Sequence, residues 1–291
     1  MPDPRNVVDF LPRNARPPLL DRGEPSSRAG ADALSGVWTE RSAAPPPLPI
    51  VDVSPSARKV QCSACHLRRS CLPDGLSERE LERIDSRMVI SLRTVLHGET
   101  LFRAGDRFEA MFQVWTGFFK AVVATSRGRE QVTGFQMAGD LMGFEGIDSG
   151  LHGVDAIALE DSQVCVIPYA NLEALGREVP PLQRHLHRTM SREILSDHDA
   201  MLRLGSMHSE QRVAAFLLSL SDRLRKRGFS ASSLVLRMSR EEIGSYLGLK
   251  LETVSRTFSK LQARGLLFVR QRQIQITDPA GLRHVLDGAT V

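Results

Sequence analysis

Three of the four cysteines in this chain crowd into one short run, Gln61-Cys62-Ser63-Ala64-Cys65-His66-Leu67-Arg68-Arg69-Ser70-Cys71. The fourth, Cys165, stands apart in the apolar stretch Gln163-Val164-Cys165-Val166-Ile167-Pro168. Thiolates spaced C-x2-C-x5-C can converge on one point from a short loop, as metal or cluster ligation requires. Three donors are one short of the four-thiolate set used by iron–sulfur clusters and many zinc sites, so Cys165 is the candidate fourth if the fold carries it across. The same residues admit other chemistry. Cys62-Ser63-Ala64-Cys65-His66 matches the c-type haem attachment pattern. Zinc accepts four thiolates, or three and an imidazole such as that of His66. A thiol switch would need only the cysteines, and a lone strand cysteine such as Cys165 is most often simply buried.

The elements that must position these groups follow from the rest of the sequence. With 291 residues the chain is long enough for two compact domains and extensions. No window approaches the about 18 uninterrupted apolar residues of a membrane span. The start, Met1-Pro2-Asp3-Pro4-Arg5, lacks a basic segment followed by an apolar core, so a cytoplasmic location is expected. In that compartment clustered cysteines are ligands or redox groups more often than disulfides, and haem attachment of the c type, which goes with export, is disfavoured. The net charge is +4, and 33 of the 38 cationic residues are Arg, a balance that tolerates polyanions without naming one.

Residues 1–57 hold eleven of the sixteen prolines and no apolar periodicity, so a disordered tail is expected there. The cysteine loop spans 58–76. Ser77-Glu78-Arg79-Glu80 has capping-box spacing, and Leu81, Ile84 and Met88 continue at helical spacing, which predicts a helix over 77–88. From about 95 to 168 short β-type runs alternate with glycine turns, as in a small antiparallel barrel or jelly roll, so 77–178 reads as a β-roll sensory domain. Pro180-Pro181 opens a long helix, assigned to 179–207. Its narrow stripe of Leu186, Met190, Ile194 and Met201 suits a two-helix seam better than a buried core. Asp197 falls near that stripe, either solvated on its flank or facing its own symmetry mate and opposing dimerisation.

Residues 208–291 carry the clearest architecture. Val213, Phe216, Leu217 and Leu220 mark one helix, and Ser239-Arg240-Glu241-Glu242 caps a second. Gly248-Leu249 turns into a third, Leu251 to Leu261, with Val254, Phe258 and Leu261 as its inner face: a helix-turn-helix. Phe268-Val269-Arg270 and Ile274-Gln275-Ile276 make a wing. Glu252, Ser255, Arg256 and Ser259 lie on the outer faces, where Arg reads guanine, Glu accepts from cytosine and Ser bonds base or phosphate. Lys250 and Lys260 flank the helix, placed for phosphate. A solvated helical hairpin is the alternative; the capping box, glycine turn and wing favour DNA. The fold class is therefore α+β: an antiparallel β-roll, which resembles a cyclic-nucleotide-binding jelly roll, a long dimerisation helix and a C-terminal winged helix-turn-helix.

From roughly Gln61 to Asp278 the chain resembles the CRP/FNR superfamily of transcription regulators, in its oxygen-sensing FNR branch. The resemblance rests on C-S-A-C-H-L-R-R-S-C, F-R-A-G-D, G-F-Q-M-A-G-D-L-M-G-F, V-C-V-I-P and L-G-L-x-x-E-T-V-S-R. It implies that Cys62, Cys65, Cys71 and Cys165 bind a [4Fe-4S] cluster, and that Glu252, Ser255 and Arg256 read palindromic TTGAT-type half-sites. Ile194 and Asp197 match the family's dimer interface. Leu251, where the cyclic-nucleotide branch has Arg, favours the FNR-type site. That branch also binds phosphate with an Arg-Ser pair after a Gly-Glu, whereas Gly139 to Gly146 here offers no cation, so no cyclic nucleotide is expected. His66, Arg68 and Arg69 make the loop unusually cationic, with consequences for the cluster's potential. The expected protein is an activator of anaerobic metabolism: a non-enzymatic homodimer that binds double-stranded DNA, with RNA polymerase as a further partner. A zinc-stabilised regulator without oxygen sensing is the alternative.

Overall fold

The computed structural model describes residues 61–88, 90–124, 128 and 130–288. The expected tail at 1–57 and the start of the expected cysteine loop at 58–60 lie outside the described residues. The cysteine run ends in a single turn, α1 (Arg68–Cys71). Ser77 then caps α2 (Glu78–Arg87): its Oγ accepts from Glu80 N, and the Glu80 carboxylate accepts from Ser77 N at 2.8 Å. Ile84 anchors this helix and is fully buried.

Eight strands follow: β1 (Ser91–Val95), β2 (Thr100–Phe102), β3 (Ala110–Thr116), β4 (Phe118–Ala124), β5 (Glu130–Met137), β6 (Leu141–Met142), β7 (Asp155–Ala158) and β8 (Ser162–Pro168). They form two four-stranded antiparallel sheets, ordered β1-β8-β3-β6 and β2-β7-β4-β5. Gly117 alone joins β3 to β4; its φ of 96° and the nearness of Ser162 leave no room for a Cβ. Inside the roll lie Phe102, Phe112, Val114, Phe119, Val164 and Val166. Because strand side chains alternate, Met111, Gln113, Cys165 and Ile167 face the other way. That outer face is also buried, which is why β3 reads as a continuous buried run from Ala110 to Val114.

Two helices close the outer face. Pro168 ends β8 and starts α3 (Tyr169–Glu178), a helix not foreseen from sequence, which buries Leu172 and Leu175. α4 (Pro180–Ser206) begins with proline and buries only Leu182 along its length. Ile194 and Met201 of its apolar stripe stand in solvent, 54% and 67% exposed. α5 (Ser209–Lys226), α6 (Arg240–Leu247) and α7 (Leu251–Ala263) form the helical part of the C-terminal unit. The wing pair, β10 (Leu267–Arg270) and β11 (Gln273–Ile276), gains a third strand, β9 (Ser233–Val235), by pairing across β11. A last helix, α8 (Pro279–Leu286), is capped by Asp278, whose Oδ1 accepts from Gly281 N at 2.9 Å. The outer faces of β4 and β5 pack on this unit through Val132, Phe135, Phe216 and Tyr246. No helix among the described residues is long and apolar enough to cross a membrane.

Candidate metal centre and nucleic-acid interface

Cys62, Cys65, Cys71 and Cys165 line one cavity of about 70 Å³. β8 presents Cys165 to it from the outer face of the sheet, and the loop brings the other three over that face. The loop is shaped by its own backbone: Cys65 N donates to Cys62 O, and Arg68 N to Cys65 O at 3.0 Å. Asp85 of α2 pins it, accepting from Ser63 N at 3.2 Å and from Ser63 Oγ. From the far side α4 contributes Leu182, His185, Leu186 and Thr189 to the wall, and His185 Nε2 reaches Ser70 O at 3.3 Å. The remaining wall is mostly apolar, including Met88, Met111, Leu141, Ile167 and Leu172, with Arg68 and Ser70 from the loop and Gln113 from β3 as its polar members. His66 takes no part in the lining; its ring packs edge-on against Trp115 at 4.6 Å.

The thiols are free, and burial raises the pKa of each. Burial, then Asp85 and Cys65, pushes Cys62 up to about 12. Cys165 rises to about 12 through burial and the nearby Cys65 and Cys62, and Cys71 is raised by burial together with all three of its fellows. Burial raises Cys65 too, against the backbone N–H groups of Leu67 and Arg68 that support its thiolate. At neutral pH the four sulfurs thus hold protons that ligation would displace. Among the described residues no three His, Cys, Asp or Glu side chains meet at the spacing of a single metal ion. A four-sulfur donor set in a largely apolar cavity fits a thiolate-bound cluster.

The recognition element is built locally. Ser239 Oγ accepts from Glu242 N at 3.1 Å while Glu242 accepts from Ser239 N at 2.7 Å, fixing the start of α6. Gly244 lets the turn cross close to α6, since a Cβ there would meet Leu249 O at 2.6 Å. Val254, Thr257, Phe258 and Leu261 bury the inner face of α7, and Arg240 stacks 3.6 Å over the Phe258 ring. Lys250, Glu252, Arg256 and Ser259 are exposed and Ser255 is half-buried. Lys260 is exposed but ion-paired with Glu210 of α5, which also holds Arg264 at 3.1 Å, so a phosphate there would compete with a carboxylate. Of the stripe residues on α4, Leu186 and Met190 are half-buried while Ile194, Asp197 and Met201 are exposed.

The structure also reveals a junction that sequence reasoning missed. Asp140, next to cavity-lining Gly139, pairs with both Arg223 and Arg227 of α5. Arg223 donates to Phe135 O at 2.8 Å and Arg227 to Ala138 O at 2.6 Å. Ser70 of the cysteine loop abuts the same Gly139. Asp85, Gln113 and Asp140 are brought to their places by tertiary contacts; only Gln113, a polar residue inside an apolar strand run, carried a sequence signal.

Residues 92–178 match the family model of the cyclic nucleotide-binding domain, and residues 211–285 that of the Crp-like helix-turn-helix domain. The transcriptional regulatory protein btr of Bordetella pertussis is 42% identical, over 81% of this chain and 96% of its own length. The fumarate and nitrate reduction regulatory protein of Escherichia coli (strain K12) is 41% identical, over 75% of this chain and 86% of its own. The structure of FixK2 from Bradyrhizobium japonicum aligns with a TM-score of 0.63 at 34% identity, covering 70% of this chain and all of that one. The α+β fold, a β-roll followed by a DNA-binding helix-turn-helix unit, is that of these relatives.

Proposed function

This chain belongs to the CRP/FNR family of transcription regulators, and from that premise we propose that it is an oxygen-responsive transcription activator. It would act as a homodimer on palindromic TTGAT-type sites with RNA polymerase as partner, and without catalytic turnover. The observation that carries this reading is that all four cysteines line one cavity whose far wall is the start of α4. Cys62, Cys65, Cys71 and Cys165 would hold a [4Fe-4S] cluster, which when bound supplies an oxygen-labile tie among the four thiolates. The relative named for fumarate and nitrate reduction supports an anaerobic role.

The chain's own residues supply the rest. Asp85 orients the loop through Ser63, so the three loop sulfurs face Cys165. Leu182 and Leu186 touch the cavity on the same helix that displays Ile194, Asp197 and Met201, so a change in the loop is felt at the seam. Two copies joined there would bring the Asp197 carboxylates together, a repulsion of the kind that makes dimerisation depend on a few kcal/mol from elsewhere. Asp140 links Gly139 at the cavity edge to Arg223 and Arg227 and so ties the roll to the DNA-binding unit. The two α7 helices of the dimer would then dock in successive major grooves, with Glu252, Ser255 and Arg256 on base edges and Lys250, Ser259 and Lys260 near phosphate. A cyclic nucleotide is not part of this reading. The stretch from Gly139 to Gly146 offers no cation for a cyclic phosphate.

The decisive experiment measures iron, sulfide, zinc and the visible spectrum of protein purified without oxygen, before and after air. About four irons and four sulfides per subunit with an air-bleached band are expected. About one zinc and no visible band would replace oxygen sensing with a zinc-stabilised DNA-binding regulator.

A further inference from the structure

We propose that the side-chain amide of Gln113 donates a hydrogen bond to the sulfurs held in the cysteine cavity and thereby sets the potential of the cluster. The inference rests on the cluster reading above. Gln113 on β3 stands directly opposite Cys165 on β8 in the antiparallel register. Opposed residues on paired strands point to the same face with their Cβ atoms close together. Gln113 is only 4% exposed and lines the same cavity as the four thiols. Its Nε2 is buried and has no hydrogen-bond partner among the described residues.

The neighbouring wall positions on these strands, Met111 and Ile167, are apolar, so an amide here is out of pattern. A buried donor without an acceptor destabilises a fold, and a polar group in such a place calls for a partner that arrives later. Thiolate and sulfide are acceptors, and of the two ends of the amide only the N–H₂ is attracted to anionic sulfur. Hydrogen bonds to cluster sulfurs stabilise the more negatively charged, reduced state, which raises the potential. A carboxamide does so at any physiological pH because it does not titrate. Gln113 is thus a positioning and tuning residue, not a ligand.

Gln113→Met keeps the length of the side chain and removes the donor. Cluster-loaded Q113M is expected to retain the iron and sulfide of the wild type, with a lower midpoint potential and Fe–S stretching bands moved to higher frequency. Metal-free Q113M should melt above metal-free wild type, because the orphan donor is gone, and the order should reverse once both are loaded. An unchanged potential with unchanged Fe–S bands overturns the inference, as does a metal-free Q113M that melts well below wild type. Should Q113M fail to load, wild-type protein with 15N-labelled glutamine side chains, reduced and examined by pulsed EPR, must show nitrogen coupling to the cluster; none overturns the inference. Wild type that binds zinc or nothing fails the cluster reading itself, and the tuning role falls with it.

Discussion

The cysteine cavity and the recognition element differ in how far along the chain their parts are gathered. The recognition element is one stretch from Ser239 to Leu261, in which capping, turn and inner face are all settled within a few residues. The cavity needs a loop at 62–71, β3 at 113, β8 at 165 and α4 at 182–189. A locally built site is present wherever its segment folds. A site assembled from distant segments exists only in one arrangement of the whole roll, so whatever binds there also holds that arrangement.

The largest expected effect breaks the cavity and spares the recognition element. Cys165→Ala removes the one donor supplied by the sheet. Protein purified without oxygen should carry no iron or sulfide, and oxygen-dependent promoter binding should be lost while the helical content by circular dichroism stays. A normal air-bleached spectrum in C165A would separate Cys165 from the ligand set. The converse break is Phe258→Ala, which empties the inner face of α7 and the seat of Arg240. A cost of about 3–5 kcal/mol in denaturant unfolding is expected. Specific DNA binding should be lost from a protein that still takes up iron, because Phe258 belongs to a different apolar cluster from Cys62 and Cys165.

This contrast also decides what could be read in advance. Both capping boxes, Ser77 with Glu80 and Ser239 with Glu242, form where sequence places them because their bonds span three residues. The strands around Met111, Phe118 and Gln131 were legible from composition and glycine spacing, and the stripe on α4 from its period. The helix at 279–286 carries a readable signal in Asp278-Pro279, a capping residue followed by proline at the first position. By contrast β9 has no sequence strength of its own and exists through its pairing with β11. The cysteine spacing marked a candidate ligand set, but nothing local in Ser63, Gln113 or Asp140 reveals that Asp85 holds the loop, that an amide faces Cys165, or that Arg223 and Arg227 meet one carboxylate. Such contacts join residues between 22 and 87 positions apart.

A finer test stays inside the recognition element. Arg256→Ala leaves the buried face of α7 intact, since Arg256 is exposed. It should weaken binding to a TTGAT-type palindrome by about 1–3 kcal/mol and relax the preference at one base pair. An unchanged operator preference in a binding titration at fixed salt would remove Arg256 from the reading set. The iron content should not move, because α7 does not line the cavity.

The smallest effect probes the contact between the two regions. Glu242, the third residue of α6 and partner of its Ser239 cap, also pairs with Lys120 on β4 at 2.8 Å, and both side chains are mostly buried. Burial by itself would raise the Glu242 pKa, but the bonds from Lys120 and Ser239 outweigh it and hold it below the ordinary 4.5. A carboxylate with a depressed folded pKa stabilises the protein above its unfolded pKa, and that contribution disappears as the pH falls through the folded value. Wild type and Glu242→Gln should therefore differ in unfolding free energy by about 1 kcal/mol or less at pH 7. The gap should close below about pH 4.5. A gap that is constant with pH would mean that Glu242 acts through packing and its cap alone, and that the roll and the DNA-binding unit are held together by the apolar contact of Phe135 with Tyr246 and by Asp140, not by the Lys120 pair.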